Sequence, residues 1–231
     1  MERSWARRGS CSTGNSWSEP LTAAGTLLES GLAELDLRIS AAARSSLLEL
    51  AELLASWSQR INLTAHRTPA AIVARLILDA AALCQVLPRA ARVVDLGSGA
   101  GFPGLPLALL RPELHVLLIE ARERRHHFQR AAIRQLAISN VEARRGRAEQ
   151  LPPEPAPLVI AQALAAPDAV LGLARDWAEP EGWIGIPGSQ GAQGPSSRPA
   201  WIAAVRAVRY QVPCGGPARS LWLGRVASAA R

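Results

Sequence analysis

A glycine-rich stretch, Asp95-Leu-Gly-Ser-Gly-Ala-Gly-Phe-Pro-Gly104, begins within the last residues of the short apolar run Arg92–Leu96. This order predicts a strand, a tight turn and then a helix over residues 103–110. Glycines suit such a turn because the backbone bends sharply and can approach a bound molecule without a Cβ in the way. In an open parallel sheet, ligands bind at the carboxyl ends of the strands. The stretch therefore predicts a binding site at the end of the first strand.

Predicted strands and helices alternate along the chain after this turn. Further strands are expected at His115–Glu120 and over residues 141–143, 158–163 and 182–186, with helices over 122–137 and 167–177. This alternation predicts βαβ units, and so an α/β, doubly wound, mostly parallel sheet of Rossmann-like type. Two last apolar runs, 205–212 and 221–226, flank a Pro-Gly-rich turn and predict a C-terminal antiparallel strand pair.

The part of the chain before residue 89 has a helical pattern instead. Leu47, Leu50 and Leu54 recur at helical spacing, and Thr68-Pro69 predicts the start of another helix that runs towards Pro88. Residues 1–20 are rich in Ser, Arg and Gly and have no apolar period. We therefore expect a disordered tail over residues 1–26, an N-terminal helical extension over 27–88 and the ligand-binding domain over 89–231.

Composition excludes several classes of protein. A chain of 231 residues with 48% hydrophobic residues can bury a substantial core, so it is not wholly disordered. No stretch reaches 18 uninterrupted apolar residues, which predicts no membrane span. The three cysteines lie far apart without a C-x-x-C pair, which argues against a disulfide scaffold or a thiolate metal site and favours a cytoplasmic location. We expect no metal, no membrane partner and a monomer.

Positive charge is concentrated in one segment of the chain. The net charge is +7 and every basic residue except histidine is arginine; residues 121–147 hold eight arginines against Glu123 and Glu142. Such a run is compatible with an ordinary solvated helix face. It is also compatible with a surface that binds the phosphate backbone of a nucleic acid.

Glu120 closes the second predicted strand, beside the glycine-rich turn. A carboxylate at this place can accept hydrogen bonds from both hydroxyls of a ribose, which predicts a nucleoside-containing cofactor. Gly99-x-Gly101-x-x-Gly104 formally matches the dinucleotide-binding pattern, so a dinucleotide-dependent oxidoreductase is an alternative. However, Asp95 precedes the first glycine, and Pro103 and Pro106 remove amides that a pyrophosphate would use. The pattern D-x-G-x-G-x-G instead resembles that of methyltransferases that use S-adenosylmethionine.

The chain further resembles one methyltransferase family, GidB, the ribosomal RNA small subunit methyltransferase G. The resemblance covers about residues 30–226, and it is carried by the motifs Asn62-Leu-Thr64, Ile77-Leu-Asp79, Asp95 to Pro106, Arg111-Pro112, Glu120 with Arg124-Arg125 and Phe128, and Arg147-Ala-Glu149. It implies methylation of N7 of a guanine in small-subunit (16S) ribosomal RNA, with the RNA or the ribosomal subunit as partner. Guanine N7 carries a free lone pair, so this chemistry needs alignment of two reactants and no general base.

The resemblance also implies roles for individual residues. Cofactor contacts are expected from Gly97, Ser98, Gly99, Gly101, Phe102, Glu120, Ala148, Glu149 and Gln162. Contacts to RNA phosphates are expected from Arg122, Arg124, Arg125 and Arg130. His126 and His127 are adjacent on a helix and lack a third ligand, so we expect both on the surface.

Three positions depart from the family pattern. Gln162 stands where the family has an arginine on the cofactor and catalytic face, Pro187 where it has a lysine, and Leu76 where it has a histidine. A glutamine cannot offer the charged, two-pronged contact of an arginine. No catalytic residue is therefore assigned, and a weakened or inactive homologue that still binds cofactor or RNA is an alternative to the active methyltransferase.

Overall fold

The structure is a computed structural model that describes residues 22–228. Residues 1–21 of the predicted tail lie outside this range. The tail does not extend to residue 26, because the first helix begins at Ala23. The Thr22 hydroxyl accepts a hydrogen bond from the Gly25 amide at 3.1 Å, which caps the helix and explains the earlier start.

Four helical segments precede the sheet and three follow its first strand. Within the described residues the α-helices are α1 (Ala23–Glu34), α2 (Ala41–Ser58), α3 (Pro69–Ile72), α4 (Leu78–Val86), α5 (Gly104–Leu110), α6 (Glu123–Gln135) and α7 (Pro167–Ala174). A π-helical turn, Val73–Ile77, joins α3 to α4, and a 3-10 turn, Arg175–Trp177, follows α7. Such π-helical turns occur often at functional sites.

The apolar stripe predicted for the helical region packs into the core. Leu47, Leu50 and Leu54 of α2 are fully buried, as their helical spacing requires. The predicted start of the next helix is confirmed, because the Thr68 hydroxyl accepts from the Ala71 amide and Pro69 is the first helical residue.

The helix that begins at Pro69 continues as one helical run to Val86, as the sequence predicts. By length and composition alone it could cross a membrane, with a mean hydropathy of 1.6 over 18 residues. Arg75 and Asp79 interrupt its apolar residues, and 56% of the run is buried inside the fold. Ile72, Ile77 and Leu83 pack in the main hydrophobic core, as in a core helix of a globular domain.

The strands form a single seven-stranded sheet in the order β3-β2-β1-β4-β5-β7-β6. They are β1 (Arg92–Leu96), β2 (His115–Glu120), β3 (Val141–Arg145), β4 (Ala156–Ile160), β5 (Ala178–Ser189), β6 (Ile202–Gln211) and β7 (Ala218–Val226). The first five are parallel, and β7 lies antiparallel between β5 and β6. The predicted α/β class, doubly wound sheet and antiparallel C-terminal pair are confirmed.

Several predicted boundaries are wrong by a few residues. β4 covers Ala156–Ile160 instead of residues 158–163, because the chain leaves the sheet after Ile160 to line the site described below. β5 starts at Ala178 and continues to Ser189, since it pairs with β4 on one side and with a long stretch of β7 on the other.

Helices cover both faces of the sheet. Neighbouring residues of β1 point in opposite directions, so Val93 packs in the larger core, which contains α1 to α6, while Val94 packs in a second core with α7 and Trp177. The glycine-rich turn lies at the carboxyl ends of the parallel strands, where ligands bind in sheets of this kind.

Candidate functional site

The glycine-rich turn after β1 has the backbone conformation that its sequence predicts. Gly97, Gly99 and Gly101 all have positive φ, at 67°, 60° and 83°. A side chain is excluded at Gly101 by space as well, because an added Cβ would lie 2.5 Å from Leu105 Cδ1. The turn is closed by a hydrogen bond from the Gly101 amide to the Ser98 carbonyl at 2.7 Å.

The Glu120 carboxylate connects the end of β2 to this turn. Glu120 is 4% exposed, its Oε2 accepts from the Gly99 amide at 2.9 Å, and its Oε1 accepts from the Arg122 amide at 2.7 Å. A carboxylate has about four lone-pair positions, so each oxygen can accept one further hydrogen bond. The two backbone amides therefore fix the carboxylate and leave it able to accept two hydroxyls.

Gln129 on α6 is a part of the site that sequence reasoning missed. It is completely buried, and its Nε2 donates both to Ser98 Oγ and to the Gly99 carbonyl, each at 2.8 Å. The side chain thus ties the turn to α6 from below. A glutamine in an arginine-rich helix has no recognisable spacing, so no sequence pattern marked Gln129 as inward-facing.

A cleft of about 550 Å³ opens between the turn and the ends of β2 and β3. Its walls include four of the predicted cofactor residues, namely Gly97, Glu120, Ala148 and Glu149. The Ala148 carbonyl accepts a hydrogen bond from the Trp177 indole at 3.3 Å, which holds the third-strand loop in place. The size lies in the usual range for a small-molecule site.

Other predicted cofactor residues lie beside the cleft. Ser98 is buried and bonds within the protein, and Phe102 packs against the larger hydrophobic core. Gln162 follows β4, lies near Asp79 and does not line the cleft. Of the other departures, Leu76 packs against the core, and Pro187 lines a neighbouring cavity of about 170 Å³.

The four predicted RNA-contacting arginines divide into two pairs by position. Arg122 and Arg125 line the cleft, and Arg125 Nη1 is 3.8 Å from Glu120 Oε2. Arg124 and Arg130 are exposed on α6. Within residues 22–228, Arg122, Arg124 and Arg130 have no ion-pair partner, whereas Arg145 pairs with Glu123 at 3.3 Å.

One of the two histidines is not where the sequence suggested. His126 is buried, with its Nε2 3.2 Å from the Ala143 carbonyl, so the prediction of a surface residue is wrong for it. His126 lies on the buried face of α6 together with Phe128, Gln129 and Ala132, and it packs this helix against β3. His127 is exposed, and no group of three metal-binding side chains occurs in the described part of the chain.

Asp95 lies beneath the turn as a buried acid. Its Oδ2 accepts from the Gly104 amide at 3.0 Å, while Oδ1 has no hydrogen-bond partner among the described residues. Burial, assisted by the nearby Glu120 charge, raises the pKa of Asp95 to about 7, against the opposing hydrogen bond from Gly104. The carboxyl group therefore titrates near neutral pH.

This pKa predicts a pH dependence of stability. Between the unfolded pKa of 3.8 and the folded value, the folded chain holds a proton that the unfolded chain releases. The free energy of unfolding therefore falls as pH rises through this window, by about 1.4 kcal/mol per pH unit from this group. In Asp95→Asn this slope should disappear, which urea unfolding from about pH 5 to about pH 8 would measure. Parallel pH profiles for the two proteins would contradict the assignment.

The topology argues against the dinucleotide alternative. The sheet order of a dinucleotide-binding fold is 3-2-1-4-5-6, whereas here an antiparallel β7 is inserted between β5 and β6. The helix after the turn begins at Gly104, so this glycine belongs to α5. The turn itself contains Gly97, Gly99 and Gly101, in the spacing G-x-G-x-G and not G-x-G-x-x-G.

Comparison with known proteins agrees with this geometry. Residues 43–220 match the family profile of GidB, rRNA small subunit methyltransferase G. The ribosomal RNA small subunit methyltransferase G of Chromohalobacter salexigens is 34% identical over 187 residues, which cover 80% of this chain and 89% of that protein. The protein of the same name from Sodalis glossinidius is 32% identical, over 81% of this chain and 92% of its own length.

A solved structure shares the fold at low sequence identity. The crystal structure of a candidate O-methyltransferase from Klebsiella pneumoniae has a TM-score of 0.52 and 16% identity, over 85% of this chain and 94% of that one. None of these similarities supports the oxidoreductase alternative. From the profile match and the long alignments, the chain belongs to the GidB family, the ribosomal RNA small subunit methyltransferase G proteins.

Proposed function

We propose that this protein transfers the methyl group of S-adenosylmethionine to N7 of a guanine in small-subunit ribosomal RNA. The observation that carries the proposal is the buried Glu120 carboxylate, fixed by the Gly99 and Arg122 amides at the wall of the cleft. Family membership supports the same reaction. The expected location is the cytoplasm, where ribosomal subunits are assembled.

The described residues fit the proposed cofactor. Glu120 would accept the two ribose hydroxyls, the half-buried Gly97 at the wall of the cleft would face the methionine part, and Ala148 with Glu149 would line the adenine. When bound, S-adenosylmethionine supplies an electrophilic methyl group on a positively charged sulfur. Gln129 acts indirectly, because its hydrogen bonds to Ser98 Oγ and to the Gly99 carbonyl hold the turn in place.

The chain contributes alignment to this reaction. Guanine N7 attacks with its own lone pair, and the sulfonium charge passes to the base, so no proton has to be removed before the transfer. This agrees with the site, where Asp95 and Glu120 are both engaged with backbone amides of the turn. The walls of the cleft then have to hold the two reactants in line and exclude water from the methyl group.

Arginines near the cleft would bind the RNA. Arg122, Arg124 and Arg130 are exposed, and none has an acidic partner in the described part of the chain. Free guanidinium groups at the rim of a cleft attract phosphates, and such contacts position a substrate without reading its sequence. Replacing Arg124 by Gln should therefore weaken RNA binding and lower the salt slope of log K by about one.

The direct test is methyl transfer by the purified protein. We expect binding of S-adenosylmethionine by calorimetry, and transfer of labelled methyl groups to small-subunit RNA or subunits that lack the modification. Alkaline or enzymatic mapping of the product should show 7-methylguanosine. Cofactor binding without transfer to either substrate would favour the alternative, a homologue that has lost catalysis, and no cofactor binding would refute the proposal.

A further inference from the structure

Four polar side chains from four separate elements meet beside the cleft. Asp79 of α4 is 5% exposed, and its Oδ2 lies 2.9 Å from Arg219 Nη2 of β7. The Tyr210 hydroxyl of β6 donates to Asp79 Oδ1 at 3.2 Å, and Gln162 lies near the same carboxylate. We call these four residues the Asp79 network.

The network lies at the same edge of the sheet as the cleft. Arg219 is opposite Ser189, the last residue of β5, and opposite Tyr210 on its other side. Gln162 follows directly after the end of β4, and its neighbour Ala163 lines the cleft. The network therefore lies across the 161–165 segment from the proposed cofactor, on the side formed by the helical extension and the antiparallel strands.

Every contact of the network serves the buried carboxylate. A carboxylate only accepts hydrogen bonds, so the Tyr210 hydroxyl is the donor in its contact with Asp79. Burial raises the pKa of Asp79, while the Arg219 charge and the hydrogen bond from Tyr210 oppose this rise. Removing one donor would destabilise the ionised carboxylate of Asp79, and it would thereby weaken the ion pair that positions Arg219.

Arg219 is left with an unused donor. Its Nε is buried without a hydrogen-bond partner among the described residues, although the side chain as a whole is 27% exposed. Because the side chain is partly exposed, its guanidinium can also bind an oxygen acceptor of a substrate, although the buried Nε cannot reach one. Gln162 adds no charge to this arrangement, so Arg219 is the cation of the network.

We propose that Tyr210, with Asp79 and Gln162, is a positioning residue that holds the Arg219 guanidinium towards an oxygen of the RNA substrate. Tyr210 thereby provides the donor to Asp79 that lets this chain work without a cation at position 162. The inference rests on the proposed function for the identity of the substrate. It makes Gln162 part of a matched set with Tyr210 and not a sign of lost activity.

The test combines two substitutions, singly and together. Tyr210→Phe should lower kcat/KM for RNA about tenfold, because the carboxylate loses a donor and Arg219 loses its fixed position. The affinity for S-adenosylmethionine should stay within about twofold of the wild type. Adding Gln162→Arg to Tyr210→Phe supplies new donors to Asp79 and should recover most of the loss.

Ser220→Ala is the matched control. Ser220 follows Arg219 on β7 and makes no contact with Asp79. The substitution removes one hydroxyl hydrogen bond, from Ser220 to the Ser189 carbonyl at 2.8 Å. The control should leave kcat/KM for RNA unchanged. The proposal is overturned if Tyr210→Phe behaves like Ser220→Ala, if Gln162→Arg brings no recovery, or if cofactor affinity falls in parallel with RNA turnover, which would indicate a merely structural role.

RNA binding without turnover separates this inference from the proposed function. The dissociation constant for small-subunit RNA, measured by filter binding over a range of salt, should rise in Tyr210→Phe and recover in the double variant even if the wild type transfers no methyl group. A salt slope reduced by about one in Arg219→Gln would assign the oxygen to a phosphate, and an unchanged slope with weaker binding would assign it to a base. Equal RNA affinity in all variants would refute the positioning role.

Discussion

Replacing Glu120 by Gln should lower the affinity for S-adenosylmethionine by roughly 10- to 150-fold, the equivalent of about 1.5–3 kcal/mol. The carboxylate accepts from the Gly99 and Arg122 amides at the same time as it would accept the ribose hydroxyls. A carboxamide has only one acceptor oxygen, so in either orientation its NH₂ group would face a backbone N–H, that of Gly99 or that of Arg122. Titration calorimetry of both proteins would measure the change.

Glu123→Gln is the matched control for this experiment. Glu123 is also an acid next to the cleft, but its side chain is 55% exposed and pairs with Arg145 and His127 on the surface. The same loss of charge at this position should change cofactor affinity little, because exposed ion pairs contribute little. An equal loss in both variants would mean that net charge, and not the geometry at Glu120, governs binding.

Gly104→Ala should destabilise the protein by about 3 kcal/mol, which for a chain of this size lowers Tm by about 6–12 °C. An added Cβ would lie 2.3 Å from Leu118 Cδ2 and 2.9 Å from Asp95 Oδ2, in a fully packed region. The side chain would push α5 away from the sheet and break the hydrogen bond from the Gly104 amide to Asp95. Thermal unfolding followed by circular dichroism would measure the shift.

Gly172→Ala on α7 is the corresponding control. No atom lies within 4 Å of the Cβ that it would add, and alanine favours a helix over glycine by up to about 1 kcal/mol. This variant should therefore be as stable as the wild type or slightly more stable. If Gly104→Ala proved equally stable, the close packing of α5 on β2 would be refuted.

The sequence predicted the sheet best where its pattern was most local. β1 and β2 have the bounds that their apolar runs predict, and the turn between β1 and α5 has the positive φ values that its glycines imply. Glu120 could be identified because it closes a strand beside that turn. These features depend on a few neighbouring residues, which is what a sequence pattern can show.

Features that depend on distant partners could not be predicted in this way. Gln129 carries no motif, and its role is visible only once α6 is packed beneath the turn. Tyr210 and Asp79 are separated by 131 residues, so their contact follows from the sheet order and not from any spacing. His126 was misplaced because charge hides the apolar face of α6, on which only His126, Phe128, Gln129 and Ala132 are buried.

The position of β7 between β5 and β6 affects how the chain folds during its synthesis. During synthesis β6 leaves the ribosome before β7, yet within the described residues β6 pairs with β7 alone. Until β7 has been synthesised and has inserted between them, β5 and β6 of the nascent chain therefore each have an unpaired edge. Arg219 lies on β7, so the Asp79 network forms only after β7 has inserted. A chain without β7 is thus prone to edge-to-edge association and lacks the cation of the Asp79 network.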